Sequence, residues 1–220
     1  MEMIADGTDS ILMPEEMEKP EMKPEELLKI LNTAGKLKVS TRHNWTEKGR
    51  KESVADHCWR LALMAMLLDG VPEYQNLDMN RVIRMCLIHD LGEAFTGDIP
   101  TFEKTAQNET AEEDLYLNWV NSFPSPAKEE WLSLLQEMIE LKTPEAKLYK
   151  ALDKLEAVIS HDEADIRSWL PLEYDLQKTY GREQVQFSPY LQQLKKAIDA
   201  CTDQKIASEG DSENYTDQHD

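Results

Sequence analysis

The sequence predicts an all-α protein, and three observations carry that reading. Glycine is scarce, at 8 of 220 residues, while Ala, Leu, Glu, Lys and Met are plentiful, a balance that favours helix over sheet. Apolar residues recur at helical spacing in segments bounded by Pro, Gly or a capping residue. No segment alternates apolar and polar residues for long enough to argue a strand.

The elements follow in order. Residues 1–23 carry Met, Pro and Glu without a helical period and read as a flexible acidic leader. Pro24 opens a first helix, PEELLKILNTAGKL, with acids beside it and Leu27, Leu28 and Leu31 on one face. Residues 38–52 read as a basic polar loop, the most cationic stretch of the chain. Ser53 then caps a strongly apolar helix over 53–70, with Asp56 three residues on and Gly70 at the end. Asp78 or Asn80 caps a third helix, NRVIRMCLIHDL, which stops at Gly92. A loop runs through Pro100. Further helices are expected at 103–121, 127–141, 144–165 and 188–202, with Pro124 and Pro126 separating the first two and Pro144 opening the third. The ordered domain is expected to span 24–203, and 204–220 reads as a disordered acidic tail.

Composition narrows function. With 43 acidic against 24 basic residues the net charge is −19, so an extended nucleic-acid surface is excluded. A small phosphorylated ligand is compatible if its site carries its own cations. Cys58, Cys86 and Cys201 form no CxxC pair and read as buried free thiols of a reducing compartment. The amino terminus is acidic, unlike a secretory signal. The longest apolar run, Leu61 to Leu68, is too short to cross a bilayer, so no membrane partner is expected and the location reads as cytoplasmic.

The segment CLIHDLGEAFTGDIP, residues 86–100, sets an imidazole beside a carboxylate at the end of an apolar helical face. His57 lies in the first turns of its helix, His89 and Asp90 at the last turn of theirs, and Asp153 borders the apolar face made by Leu148, Leu152 and Leu155. Three helices thus offer two imidazoles and two carboxylates to one point. Such a set suits a divalent transition metal (Mn, Co, Fe, Ni or Zn) and leaves positions open for water and a substrate oxygen. Taken singly, each residue has a plainer reading. A histidine near a helix start is structural more often than not, chance often places His beside Asp, and Asp153 has Lys150 and Lys154 as salt-bridge partners. His43, His161 and His219 read as surface histidines, and Met64, Met66, Met85 and Met138 as core filler.

The ordered pattern ESVADH, then HDLGEAFTGDIP, then ALDKLEA, preceded by LKVSTRHNW, resembles the HD-domain superfamily of metal-dependent phosphohydrolases. It is closest to the small HD-domain 5′-deoxynucleotidases. The resemblance runs from about residue 27 to 200 and implies a helical bundle with a metal site between helices. It implies His57, His89, Asp90 and Asp153 as ligands, and Glu93 and Asp98 as catalytic residues. Glu93 would orient or deprotonate the attacking water and Asp98 would contact the sugar side of the nucleotide. Glu93, Asp98 and the carbonyl of Ile99 are implied as holders of a second cation such as Mg²⁺. Arg42 is implied as a phosphate clamp, and Trp45 as a residue stacking on the base or walling off the ribose 2′ side. His43 and Asn44 separate that Arg and Trp here, whereas one branch of the family has them adjacent. The partners implied are a small nucleotide and a second copy of the chain in a homodimer. Two related activities fit less well: the tetraphosphate hydrolases follow the HD motif with Glu-Asp where Glu93 meets Ala94, and the cyclic-dinucleotide enzymes need Gly-Tyr-Pro where this chain has Gly97-Asp98-Ile99-Pro100. A nucleotide-sensing or interaction module with a structural metal is the non-enzymatic alternative.

Overall fold

The computed structural model describes residues 22–46 and 49–210. Most of the leader, and 211–220 of the tail, lie outside the described residues, as do Lys48 and His219. The described chain is mainly helical. Its helices are α1 (Pro24–Ala34), α2 (Val54–Leu68), α3 (Met79–Ile88), the single turn α4 (Glu93–Thr96), α5 (Ala106–Asn121), α6 (Ala127–Glu140), α7 (Pro144–Glu163), α8 (Glu173–Thr179) and α9 (Pro189–Glu209). None is long and apolar enough to cross a membrane.

Caps set the starts of the three helices that carry the candidate ligands, two of them at positions expected from the sequence. The Ser53 hydroxyl accepts from the Asp56 amide at 3.2 Å, and the Asp56 carboxylate accepts from the Ser53 amide at 2.8 Å, a reciprocal capping box that opens α2. Asp78 accepts from the Arg81 amide at 3.1 Å and opens α3. Thr143 caps α7, with Pro144 in its first turn.

α7 is the central element, packing against α2, α3, α6 and α9. Leu148, Leu152 and Leu155 on its inner face are fully buried, as are Leu61 and Ala65 of α2 and Val82, Met85 and Cys86 of α3. Burying a Leu-sized side chain contributes roughly 1.5–3 kcal/mol, so this layer is the main stabilising contact of the domain.

Six readings need correction. The stretch 38–52 is not all loop: Thr41–Trp45 (β1) and Lys51–Ser53 (β2) pair antiparallel with an irregular register. The strands are too short to show alternation, and an isolated two-stranded hairpin is marginal in water. This one is held from outside, by side-chain bonds to α7. The segment before Pro100 contains α4, and α8 was also missed, both too short to display a helical period. The last helix continues to Glu209, past the expected end at 202 and into the stretch read as tail, because Ile198 and Thr202 are buried on its inner face and Ile206 is partly buried. Met85 and Met138 are core and Met64 is partly buried, but Met66 is 60% exposed, on an outer stripe of α2 with Trp59 and Leu67. Cys58 and Cys86 are buried free thiols, whereas Cys201 is exposed.

Candidate metal centre

Capping and burial bring the four expected ligands together. His57 sits one turn into α2 and is fully buried, because its ring lies on the face that packs against α7. His89 is the C-cap of α3, with Asp90 next, so the chain turns away from the helix at the point where both side chains are needed. Asp153 projects from the middle of α7 and is buried.

The donor atoms converge. His57 Nε2 lies 3.3 Å from His89 Nε2, 3.3 Å from Asp153 Oδ1 and 3.8 Å from Asp90 Oδ2. His89 Nε2 lies 3.0 Å from Asp90 Oδ2 and 3.6 Å from Asp153 Oδ1. His57, His89 and Asp90 form a group able to hold a metal ion, and Asp153 Oδ1 closes the fourth side.

Bonds behind the rings test whether a metal fits. His57 Nδ1 is bonded to Glu156 Oε2, and His89 Nδ1 reaches the Cys86 carbonyl at 3.0 Å. With each Nδ1–H donating outward, both Nε2 lone pairs face inward, towards two carboxylate oxygens. Four electron-rich atoms pointed at one another need a positive charge between them, and the outward bonds are the usual means of orienting metal-bound imidazoles. The residues present therefore fit a divalent cation. Without a metal the charge comes from protonated imidazoles: burial on its own would raise the Asp90 carboxyl, but imidazolium His89 and His57 hold it below the usual carboxylate range. Burial likewise opposes ionisation of Asp153, and Lys150, Lys154 and the two imidazoles overcome it. The two readings of Asp153 are thus compatible in one side chain. Its Oδ1 faces the imidazoles, and its Oδ2 takes Lys150 at 3.0 Å and Lys154 at 3.4 Å.

The centre opens into a cavity of about 240 Å³. Arg42, Asp90, Glu93, Asp98, Ile99 and Asp153 all line it. Glu93, in the first turn of α4, is buried and its Oε2 has no hydrogen-bond partner among the described residues. Burial, then repulsion from Asp90, Asp98 and Glu112, pushes its carboxyl up to about 9, against the pull of Arg42. Asp98 accepts a bond from the His43 backbone, and burial raises its carboxyl too. Arg42, on β1, places Nη1 3.7 Å from Asp90 Oδ2. Trp45 is not brought to the site. It stands at the far end of β1, 36% exposed, outside the cavity lining, with Lys51 Nζ 5.6 Å above its ring.

Among the described cations of the expected basic loop, Arg42 alone lines the cavity. Arg50 bonds to Asp56 at 2.6 Å and supports the α2 cap, and Lys51 covers Trp45. Lys104, Lys150 and Lys154 line the cavity with Arg42. His43 and His161, read as surface residues, line it as well, and each lies 3.4 Å from an oxygen of the buried Glu173. His161 is buried because its ring stacks on Trp169, with centroids 4.8 Å apart. The one sequence signal for these was spacing along α7: 150, 153, 154, 157 and 161 share a helical face.

A family model described as HD domain matches residues 34–195. The chain belongs to the HD-domain family. It is an HD-domain phosphohydrolase, homologous at about 30% identity to known 5′-deoxynucleotidases. The 5′-deoxynucleotidase HDDC2 of Dictyostelium discoideum is 34% identical over 140 residues, 60% of this chain and 74% of that protein. The Homo sapiens protein of the same name is 29% identical over 187 residues, 83% of this chain and 89% of its own. Among solved structures, a predicted metal-dependent phosphohydrolase from Magnetospirillum magnetotacticum MS-1 matches with a TM-score of 0.67 at 23% identity, covering 83% of this chain and 95% of that one. At that identity the match speaks for the fold. A conserved hypothetical protein from Pyrococcus furiosus matches at 0.62 and 28% identity, over 79% of this chain and 99% of the other. The HD-domain chain thus has the family's helical frame, with its histidine and aspartate donors between helices.

Proposed function

We propose that this HD-domain protein hydrolyses the 5′-phosphate of deoxynucleoside monophosphates, releasing a deoxynucleoside and phosphate. One observation carries the reading: four converging metal donors open onto a cavity that also holds an unpartnered carboxylate, Glu93, and a guanidinium, Arg42. The relatives named 5′-deoxynucleotidase supply the substrate class.

A divalent cation held by His57, His89, Asp90 and Asp153 would supply Lewis-acid polarisation of the phosphoryl group and an acidified water. The chain's own residues do the rest. Arg42 presents a planar fork to two phosphate oxygens, the geometry that favours Arg over Lys at such sites. Glu93 accepts the proton of the attacking water. Its raised basicity suits that role, and cancelling the repulsion from Asp90, the second cause of the rise after burial, would lower it from there. Lys150 and Lys154 keep Asp153 ionised as a ligand. Glu93, Asp98 and the Ile99 carbonyl form the side of the cavity suited to a second cation such as Mg²⁺.

The test is phosphate release from a panel of deoxy- and ribonucleoside 5′-monophosphates, with protein loaded in turn with Mn²⁺, Co²⁺, Fe²⁺, Ni²⁺ or Zn²⁺. Hydrolysis of the deoxy series is expected, and Arg42→Lys should raise KM more than it lowers kcat. A fully loaded protein that released phosphate from none of them would overturn the reading.

A further inference from the structure

We propose that Glu52 is a positioning residue: with Asn44 and Ser160 it locks Arg42 in register with the metal ligands. The proposal rests on the reading of Arg42 as the phosphate clamp. Glu52 Oε2 lies 3.2 Å from Arg42 Nε and accepts from Asn44 Nδ2 at 3.2 Å. Glu52 Oε1 accepts from Ser160 Oγ at 2.6 Å, and Asn44 Nδ2 also reaches Ser160 Oγ at 2.6 Å. All three residues are buried. The Arg42 Nε–H is buried and not aligned on a hydrogen-bond acceptor, so Glu52 holds the guanidinium by charge and not by a directed bond.

The need for such a lock comes from the fold. Arg42 stands on a hairpin of two short strands, which alone would be marginal. A clamp on a wandering strand loses the preorganisation that makes it useful. Ser160 and the ligand Asp153 lie on the same helix, seven residues or about 10 Å apart along its axis. One rigid element therefore carries a proposed metal ligand at its middle and the anchor of the clamp near its C-terminal end. Glu52 also offers Arg42 a second carboxylate, so that the guanidinium stands between Glu52 and Asp90 and does not collapse onto the ligand.

The sign of one measurement separates this role from plain electrostatics. Glu52 is an anion close to where a phosphate dianion would bind, so if it acted only by charge its removal would tighten phosphate binding. If it positions Arg42, removal weakens binding. Inorganic phosphate is titrated calorimetrically into metal-loaded protein for wild type, Glu52→Gln, Ser160→Ala, Arg42→Lys and the doubles with Arg42→Lys. Glu52→Gln and Ser160→Ala should each weaken phosphate about tenfold, short of the ~10²-fold that a 1 Å misplacement costs. In the Arg42→Lys background the further loss should fall below about twofold, because partners in one network are non-additive. Unchanged or tighter binding in both folded variants, or equal losses in both backgrounds, would overturn the proposal. Ser160→Ala carries the test if Glu52→Gln fails to fold. The titration needs no turnover, so a protein inactive on nucleotides would refute the proposed function while leaving this result readable.

Discussion

Replacing Glu156 with Gln should weaken the metal site without touching a ligand. Glu156 is fully buried on α7. One carboxylate oxygen takes the Nδ1–H of His57 and the other takes Arg60 Nε at 2.6 Å. Two donors thus meet two acceptors. Glutamine keeps the volume but has one acceptor and an amide NH₂. If the NH₂ turns to His57, that ring must carry its proton on Nε2, the atom that should face the metal. If it turns to Arg60, a buried guanidinium N–H loses its acceptor. Loss of such a supporting bond costs about 10- to 100-fold in metal affinity, which converts to about 1.4–2.8 kcal/mol. Competition against a chromophoric chelator measures the change, with far-ultraviolet circular dichroism as the check on folding. Glu163→Gln is the control: that carboxylate holds the other side of Arg60 at the surface and should leave affinity unchanged. A folded Glu156→Gln protein within twofold of wild-type affinity would show that Glu156 does not set the tautomer of His57.

Alanine at His57, His89, Asp90 or Asp153 should each remove bound metal and activity together, read by elemental analysis beside the phosphate assay. Full metal content in Asp153→Ala would remove the fourth ligand from the set. Glu93→Gln should retain the first metal and the fold but lose about 10²- to 10⁴-fold in kcat, the usual value of general-base help; near wild-type turnover would take Glu93 out of the mechanism. At Gly92 the backbone is ordinary helix, with φ −57°, so substitution tests packing alone. A Cβ there would stand 2.9 Å from Glu112 Cγ and 3.4 Å from Tyr116 Cβ. Gly92→Ala should therefore cost about 1–3 kcal/mol in urea denaturation, and an unchanged midpoint would mean that α5 yields freely.

Much of this was legible in the chain because strong local signals happened to coincide with the site. The caps at Ser53 and Asp78 and the proline at Pro144 set the starts of three helices, and where a helix starts decides which way His57, His89 and Asp153 point. The HD motif and its spacing carried the family. What escaped was tertiary. Arg42 was recognisable as a cation, but the hairpin that carries it depends on Ser160, 116 positions from Asn44. No local pattern announces a strand whose stability comes from a distant helix. His161 looked like a surface residue because its neighbours are polar, and only Trp169 packing beneath it explains its burial. Trp45 shows the converse. Its place in the motif suggested the site, but the irregular hairpin register leaves it outside the cavity.

The electrostatics of the cavity resolve the tension between a chain at −19 and a dianionic substrate. Each cation there already has a carboxylate: Arg42 has Glu52 and Asp90, Lys104 has Glu112, and Lys150 and Lys154 share Asp153. A phosphate entering this cavity without metal must compete with those carboxylates. Asp90 and Asp153 are also two of the four donors. With a metal held there, as proposed, Arg42, Lys150 and Lys154 would be left with less negative charge to balance and more to offer a ligand. Metal and phosphate would then favour each other's binding through shared residues, and linkage would make that preference reciprocal. On that reading an acidic surface and an anion-binding cavity are compatible, because the cations would become available where the metal sits.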